Sequence, residues 1–136
     1  MNIRRPLAHE REAGQSSMRI AFDSQIFCAQ QFGGISRYFA AVAREMATMA
    51  GIEPHIVAPL HVNDYLQRLP PGVVRGRKVG ASSAGKLLAR VVSAAGGSLA
   101  QLFLKPDVVH ETYYYPQPVL WRRAPTVVSV YDMNYE

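Results

Sequence analysis

Four short apolar runs, each followed by polar, aromatic or glycine residues, most constrain what this chain can fold into. Ile20-Ala21-Phe22 with Ile26-Phe27, then Pro54 to Ala58, Asp107-Val108-Val109-His110 and Thr126 to Val130, have the length and apolar content of buried strands. Between the first two runs, apolar residues fall at Ile35, Phe39, Val42, Ala43, Met46 and Met49, the spacing of one helical face. Arg37, Arg44, Glu45 and Thr48 fall on its other faces. Ser36 is placed to cap this helix and Gly51 to end it. A second helical pattern starts at Ala84, with Leu87, Val91, Ala95, Leu99 and Leu102 on one side. Gly96-Gly97 predicts a break there, or two helices. Residues 73–77 read as a weak additional strand after the Pro70-Pro71-Gly72 turn. Strand, glycine turn, helix, strand is the alternation of an α/β, Rossmann-like, doubly wound parallel sheet. The predicted strands of that one sheet are 19–27, 54–58, 107–111 and 126–131.

At 136 residues, a single domain with a real core is expected. The apolar share of 49% and charged share of 18% are those of a globular chain. Cys28 is the only cysteine and cannot form an internal disulfide. Residues 1–17 carry charges and no apolar run, so a flexible extension is expected there rather than a secretory signal, with residues 18–136 forming the domain. Nothing reads as the roughly 20 uncharged apolar residues of a membrane span. These features point to the cytoplasm. His9, His55, His61 and His110 lack metal-ligand spacing, and neither a metal nor a cofactor is expected.

Doubly wound sheets bind ligands beyond the carboxyl ends of their strands, so the candidate site lies in the segments that follow each run. Gly33-Gly34 before a helix allows close approach of a ligand, and a phosphate suits the positive end of that helix. The dinucleotide fingerprint Gly-x-Gly-x-x-Gly is absent, which argues against a nicotinamide enzyme. His110-Glu111-Thr112-Tyr113-Tyr114-Tyr115 places consecutive aromatic rings after a strand, and three in a row cannot all point inward. Such rings offer faces to sugars, and Glu111, Tyr113, Tyr114 and Tyr131 are the acceptor-binding candidates. Asp132 is placed to orient or deprotonate an acceptor hydroxyl, although a turn cap is the commoner role of such a residue.

Taken together, Met18-Arg19-Ile20-Ala21-Phe22-Asp23, Gly33-Gly34-Ile35-Ser36-Arg37-Tyr38, Asp107-Val108-Val109-His110 and Pro125-Thr126-Val127-Val128-Ser129-Val130-Tyr131-Asp132-Met133 resemble the start of glycosyltransferase family 4. The resemblance spans nearly all of residues 18–136. It implies the N-terminal, acceptor-side half of a two-domain GT-B fold, incomplete at its C-terminus. It also implies retaining transfer of a sugar from a nucleotide-sugar donor to a glycan or lipid-linked acceptor, commonly in bacterial surface polysaccharide assembly. Gly33 and Gly34 would lie over the donor diphosphate, and the donor itself would be held mainly by a second domain. The family usually has His where this chain has Tyr131, a poor base at neutral pH. No protein nucleophile is implied, and the fragment alone is expected to be inactive.

The net charge of +5 is unevenly placed. Between residues 65 and 106 stand Arg68, Arg75, Arg77, Lys78, Lys86, Arg90 and Lys105, with no acidic residue. This suggests an anionic partner or a solvated face. The alternative function is therefore a non-catalytic binding module or remnant that uses the basic stretch on membranes or nucleic acid. For the glycosyltransferase reading no nucleic acid is expected, and any membrane contact is peripheral, at the inner face. The apolar side of the second helix is expected to pack on the sheet, the usual fate of such a face.

Overall fold

The computed structural model describes residues 16–114 and 124–131. Five strands form one parallel sheet: β1 (Met18–Phe22), β2 (Ile52–His61), β3 (Val74–Lys78), β4 (Val108–Glu111) and β5 (Thr126–Val128), in the order β3-β2-β1-β4-β5. That is the order of the first five strands of the doubly wound fold. Among the described residues three α-helices accompany it, α1 (Gln25–Ala29), α2 (Gly34–Met46) and α3 (Ser83–Leu104), with a 3-10 turn at Tyr65–Arg68. The Rossmann-like α/β class expected from the alternation of elements is the one observed.

Alternation along β2 assigns the helices to opposite faces. Ile56 and Ala58 join Phe22, Phe39, Ala40 and Ala43 in the core under α2. Pro59, pointing the other way, meets Gly96 of α3. The three buried phenylalanines Phe22, Phe27 and Phe39 anchor the larger core. Truncating one of them to alanine would cost about 3–5 kcal/mol. Beneath α3 a smaller cluster gathers Cys28, Val62 and Ala89.

The structure differs from the sequence expectations in several places. Ile26 and Phe27 are not strand residues but lie in α1. A short apolar pair beside a strand carries no period of its own. Polar groups decide its conformation: the Asp23 carboxylate accepts from Gln25 N at 3.3 Å, and Thr112 Oγ1 accepts from Ile26 N at 3.1 Å. Those two N–H groups are thereby withdrawn from any strand ladder and satisfied at a helix start. Ser36 does not cap α2. Gly33 is the N-cap, and the buried Ser36 hydroxyl donates back to Gly33 O at 3.2 Å. Gly51 instead turns the chain into β2 with φ of +76°, and its carbonyl accepts from Met18 N at 2.8 Å. β2 runs beyond residues 54–58 at both ends, and β5 stops at Val128, short of residue 131.

α3 is unbroken at Gly96-Gly97. A Cβ at Gly96 would stand 3.3 Å from Pro59 Cγ, so the small residue serves close packing on β2. Its apolar side is also reversed from expectation. Ala89 and Ser93 face the sheet, while Leu87, Leu88, Val91 and Leu99 are exposed. Small residues permit closer helix–sheet contact, and the Ser93 hydroxyl fits because it donates to Leu60 O at 2.7 Å. The helix has 22 residues and a mean hydropathy of 1.5 over its most apolar stretch, so by length and composition it is long and apolar enough to cross a membrane. This corrects the expectation that no segment reaches that mark: Lys86 and Arg90 lie near one end and leave an apolar stretch beyond.

Candidate functional site at the carboxyl edge of the sheet

In the order β3-β2-β1-β4-β5, the chain leaves β1 toward one side of the sheet and enters β4 on the other. In a sheet of this order the connections at β1 and β4 run to opposite faces, and the crevice expected between them is the usual ligand position. Asp23 and Thr112 lie at this switch point. Asp23 N donates to His110 O at 3.1 Å, which ties the end of β1 to β4. The Asp23 carboxylate accepts from Thr112 N at 2.9 Å, Thr112 Oγ1 at 2.5 Å and Gln25 Nε2 at 2.6 Å. Burial pushes its pKa up, against the opposing pull of the bonds from Thr112 and Gln25. This buried, fully engaged carboxylate fixes the floor of the crevice.

Above the floor is an aromatic wall. The His110 ring stacks on Phe22 with centroids 5.4 Å apart and meets the edge of Phe39 at 5.1 Å. His110 Nε2 lies 2.9 Å from Ser129 Oγ, across β4 and β5. Burial lowers its pKa, which keeps the imidazole neutral at pH 7. Tyr131 packs against Tyr38 at 5.7 Å and Phe39 at 5.8 Å, both edge-on. Its phenol is pushed up by burial, against a hydrogen bond with Ser129. Tyr131 is thus a hydrogen-bonding group rather than a base at neutral pH. Tyr38 and Tyr131 are both partly exposed, so the end of β5 and the second turn of α2 share one aromatic lip.

The glycine turn opens the same helix. Gly33 is extended, and a Cβ there would fall 2.1 Å from Gln30 Oε1. The Gln30 side chain fills this space and accepts from Ser36 N at 3.3 Å. A phosphate approaching the α2 N-terminus would compete with that amide. Gly34 is different: it is exposed, a Cβ would meet nothing within 4 Å, and its φ does not require glycine. Nothing within the described residues explains a glycine at position 34, whereas the close approach of a ligand would.

The remaining candidates distribute as follows. Tyr113 and Tyr114 stack at 4.4 Å, with Tyr113 against the α2-side core and Tyr114 exposed. Glu111 closes β4, and alternation sets it on the opposite sheet face from His110 and its aromatic contacts. Asp132 and Tyr115 lie outside the described residues. Contacts therefore join Tyr131 to Tyr38 at the mouth of α2, while Glu111 belongs to the other face. Among the described residues no group of three or more His, Cys, Asp or Glu side chains stands close enough to hold a metal. Sequence reasoning missed the Asp23–Thr112 pair, the Gln30 side chain beside Gly33 and the Ser129 hydroxyl beside His110. The available signal was their place just after strands or before the glycine turn.

Comparison with protein-family models, with curated proteins and with solved structures finds no match to this chain.

Proposed function

We propose that this chain is the acceptor-side domain of a retaining glycosyltransferase of the GT-B type, resembling family 4. The observation that carries the reading is the open approach to Gly34 at the start of α2, one turn from the Tyr38–Tyr131 lip, at the carboxyl edge of a doubly wound sheet. In this reading the donor diphosphate comes to Gly33 and Gly34 and displaces the Gln30 amide. The helix N-terminus stabilises the negative charge that develops on the leaving diphosphate. Tyr131, Tyr113 and Tyr114 hold the rings of a glycan or lipid-linked acceptor by stacking and hydroxyl contacts, with Glu111 at the margin. Asp132 orients the attacking hydroxyl. The nucleotide is bound chiefly by a second domain across the cleft.

Transfer needs both substrates held within reach of each other, and one wall of a cleft does not do this. Residues 1–136 alone are expected to give no turnover with any nucleotide sugar, whereas the same residues joined to a nucleotide-binding half transfer. Sugar transfer by the isolated 136-residue chain would contradict this division of labour.

A further inference from the structure

We infer that the outer face of α3, together with the arginines of β3 beside it, seats the protein on an anionic lipid surface. The helix presents its large side chains outward: Leu87, Val91 and Phe103 are 64%, 61% and 80% exposed, and Leu88 and Leu99 lie between them. With the exposed Ala95 between Val91 and Leu99, successive positions are three or four residues apart and form one stripe along the helix. The opposite face is committed to the sheet. Ala89 is buried, the Ser93 hydroxyl accepts from Leu60 N and donates to Leu60 O, and a side chain at Gly96 would crowd Pro59. α3 therefore lies lengthwise on β2, and crossing a bilayer would strip away those contacts. A helix held in this way, with one apolar face outward, is suited to lie in the plane of a membrane surface.

Charge selects the lipid. In β3, Arg75 pairs with Val57 and Arg77 with Leu60. Paired residues of parallel strands point to the same face, and Leu60 packs into the cluster under α3. Both arginines thus stand on the α3 side of the sheet, the side on which Lys86 and Arg90 of the helix itself also lie. Lys78 is engaged with Asp64, and no acidic residue occurs between residues 65 and 106. A second copy docked through the same face would bring these cations against themselves. A polyanion such as nucleic acid would leave the aliphatic stripe in water. An anionic bilayer satisfies both parts at once, the stripe in the acyl boundary and the cations among the headgroups. A non-catalytic binding module would seat in the same way, so nothing here depends on sugar transfer.

The test is flotation of the whole chain with vesicles of phosphatidylcholine alone or mixed with phosphatidylglycerol. Binding is expected to the anionic vesicles, weakened by salt. Combined Leu87→Ser and Phe103→Ser is expected to lower it about tenfold or more, as is combined Arg75→Gln, Arg77→Gln, Lys86→Gln and Arg90→Gln. Because the replaced side chains are exposed, apart from the half-buried Lys86, an unchanged melting temperature verifies that both variants are folded. Equal binding to neutral and anionic vesicles, no binding to either, or unchanged binding by the folded variants would overturn the assignment. So would a dimer that the Leu87→Ser, Phe103→Ser variant dissolves while vesicles fail to bind.

Discussion

Thr112 Oγ1 serves two elements at once: it donates to the buried Asp23 carboxylate and accepts from Ile26 N at the start of α1. Thr112→Val keeps the shape and removes both bonds. The carboxylate loses a strong donor and a buried amide is left without its acceptor, so unfolding in urea should show a loss of about 2–4 kcal/mol. A loss below about 0.5 kcal/mol would mean that the crevice floor is held by something else. The buried His55 and His61 and the half-buried His110 set the pH response. His55, His61 and His110 are all lowered from an ordinary value of 6.5, burial being the first cause in each case. Groups with depressed folded pKa values contribute stability above pH 6.5 and lose it as pH falls through the folded values. Asp23 acts in the opposite direction: its raised pKa gives a contribution that is full below pH 3.8 and lost as pH rises through the folded value. Melting temperature should therefore fall as pH is lowered from 7.5 through the histidine range, and His61→Gln should flatten the decline. A melting temperature that rises over that interval would contradict this assignment. None of this was legible in the sequence, because Asp23 and Thr112 are 89 positions apart and nothing local marks them as partners.

The elements were legible where apolar period and length agree. β4 and α2 are close to their predicted spans, whereas β1 ends at Phe22, well short of residue 27, and β2 runs past residues 54–58 at both ends. α1 was not legible, since its start is set by two side chains that reach it from the ends of β1 and β4. α3 was misread twice for one reason: its glycines and small residues mark the face toward β2, and only tertiary contact with Pro59 and Leu60 reveals that. Gly96→Leu tests this at the element scale. Its side chain would have to displace Pro59, and overpacking of this kind costs about 1–3 kcal/mol. Were Gly96 merely a tolerated helix residue, the same substitution would raise stability by about 0.5–1 kcal/mol through better helix propensity.

At the scale of the molecule, the sheet carries the argument for a site. Its strand order brings the ends of β1, β4 and β5 and the start of α2 to one edge. The gathering of strand ends at that edge was foreseen from the sequence because doubly wound sheets usually bind ligands there. The separation of Glu111 from the aromatic lip was not, since it depends on which β4 residue meets Phe22. Val127 and Val128 are both exposed although neighbours on a strand face opposite ways, so neither sheet face at β5 is covered by the described residues. Parallel sheets are ordinarily covered on both faces, so among the described residues β5 is less protected than the strands packed under α2 and α3. The most direct measurement is transfer from a panel of nucleotide sugars by the intact protein, with the anomeric configuration of the product read by NMR, for the wild type and for Gly34→Asp. The account predicts a product of retained configuration. It also predicts that Gly34→Asp loses about tenfold or more in kcat/KM with little change in melting temperature, because the new carboxylate repels the diphosphate from the α2 N-terminus. Transfer undiminished in Gly34→Asp, or an intact protein that turns over no nucleotide sugar, would contradict it.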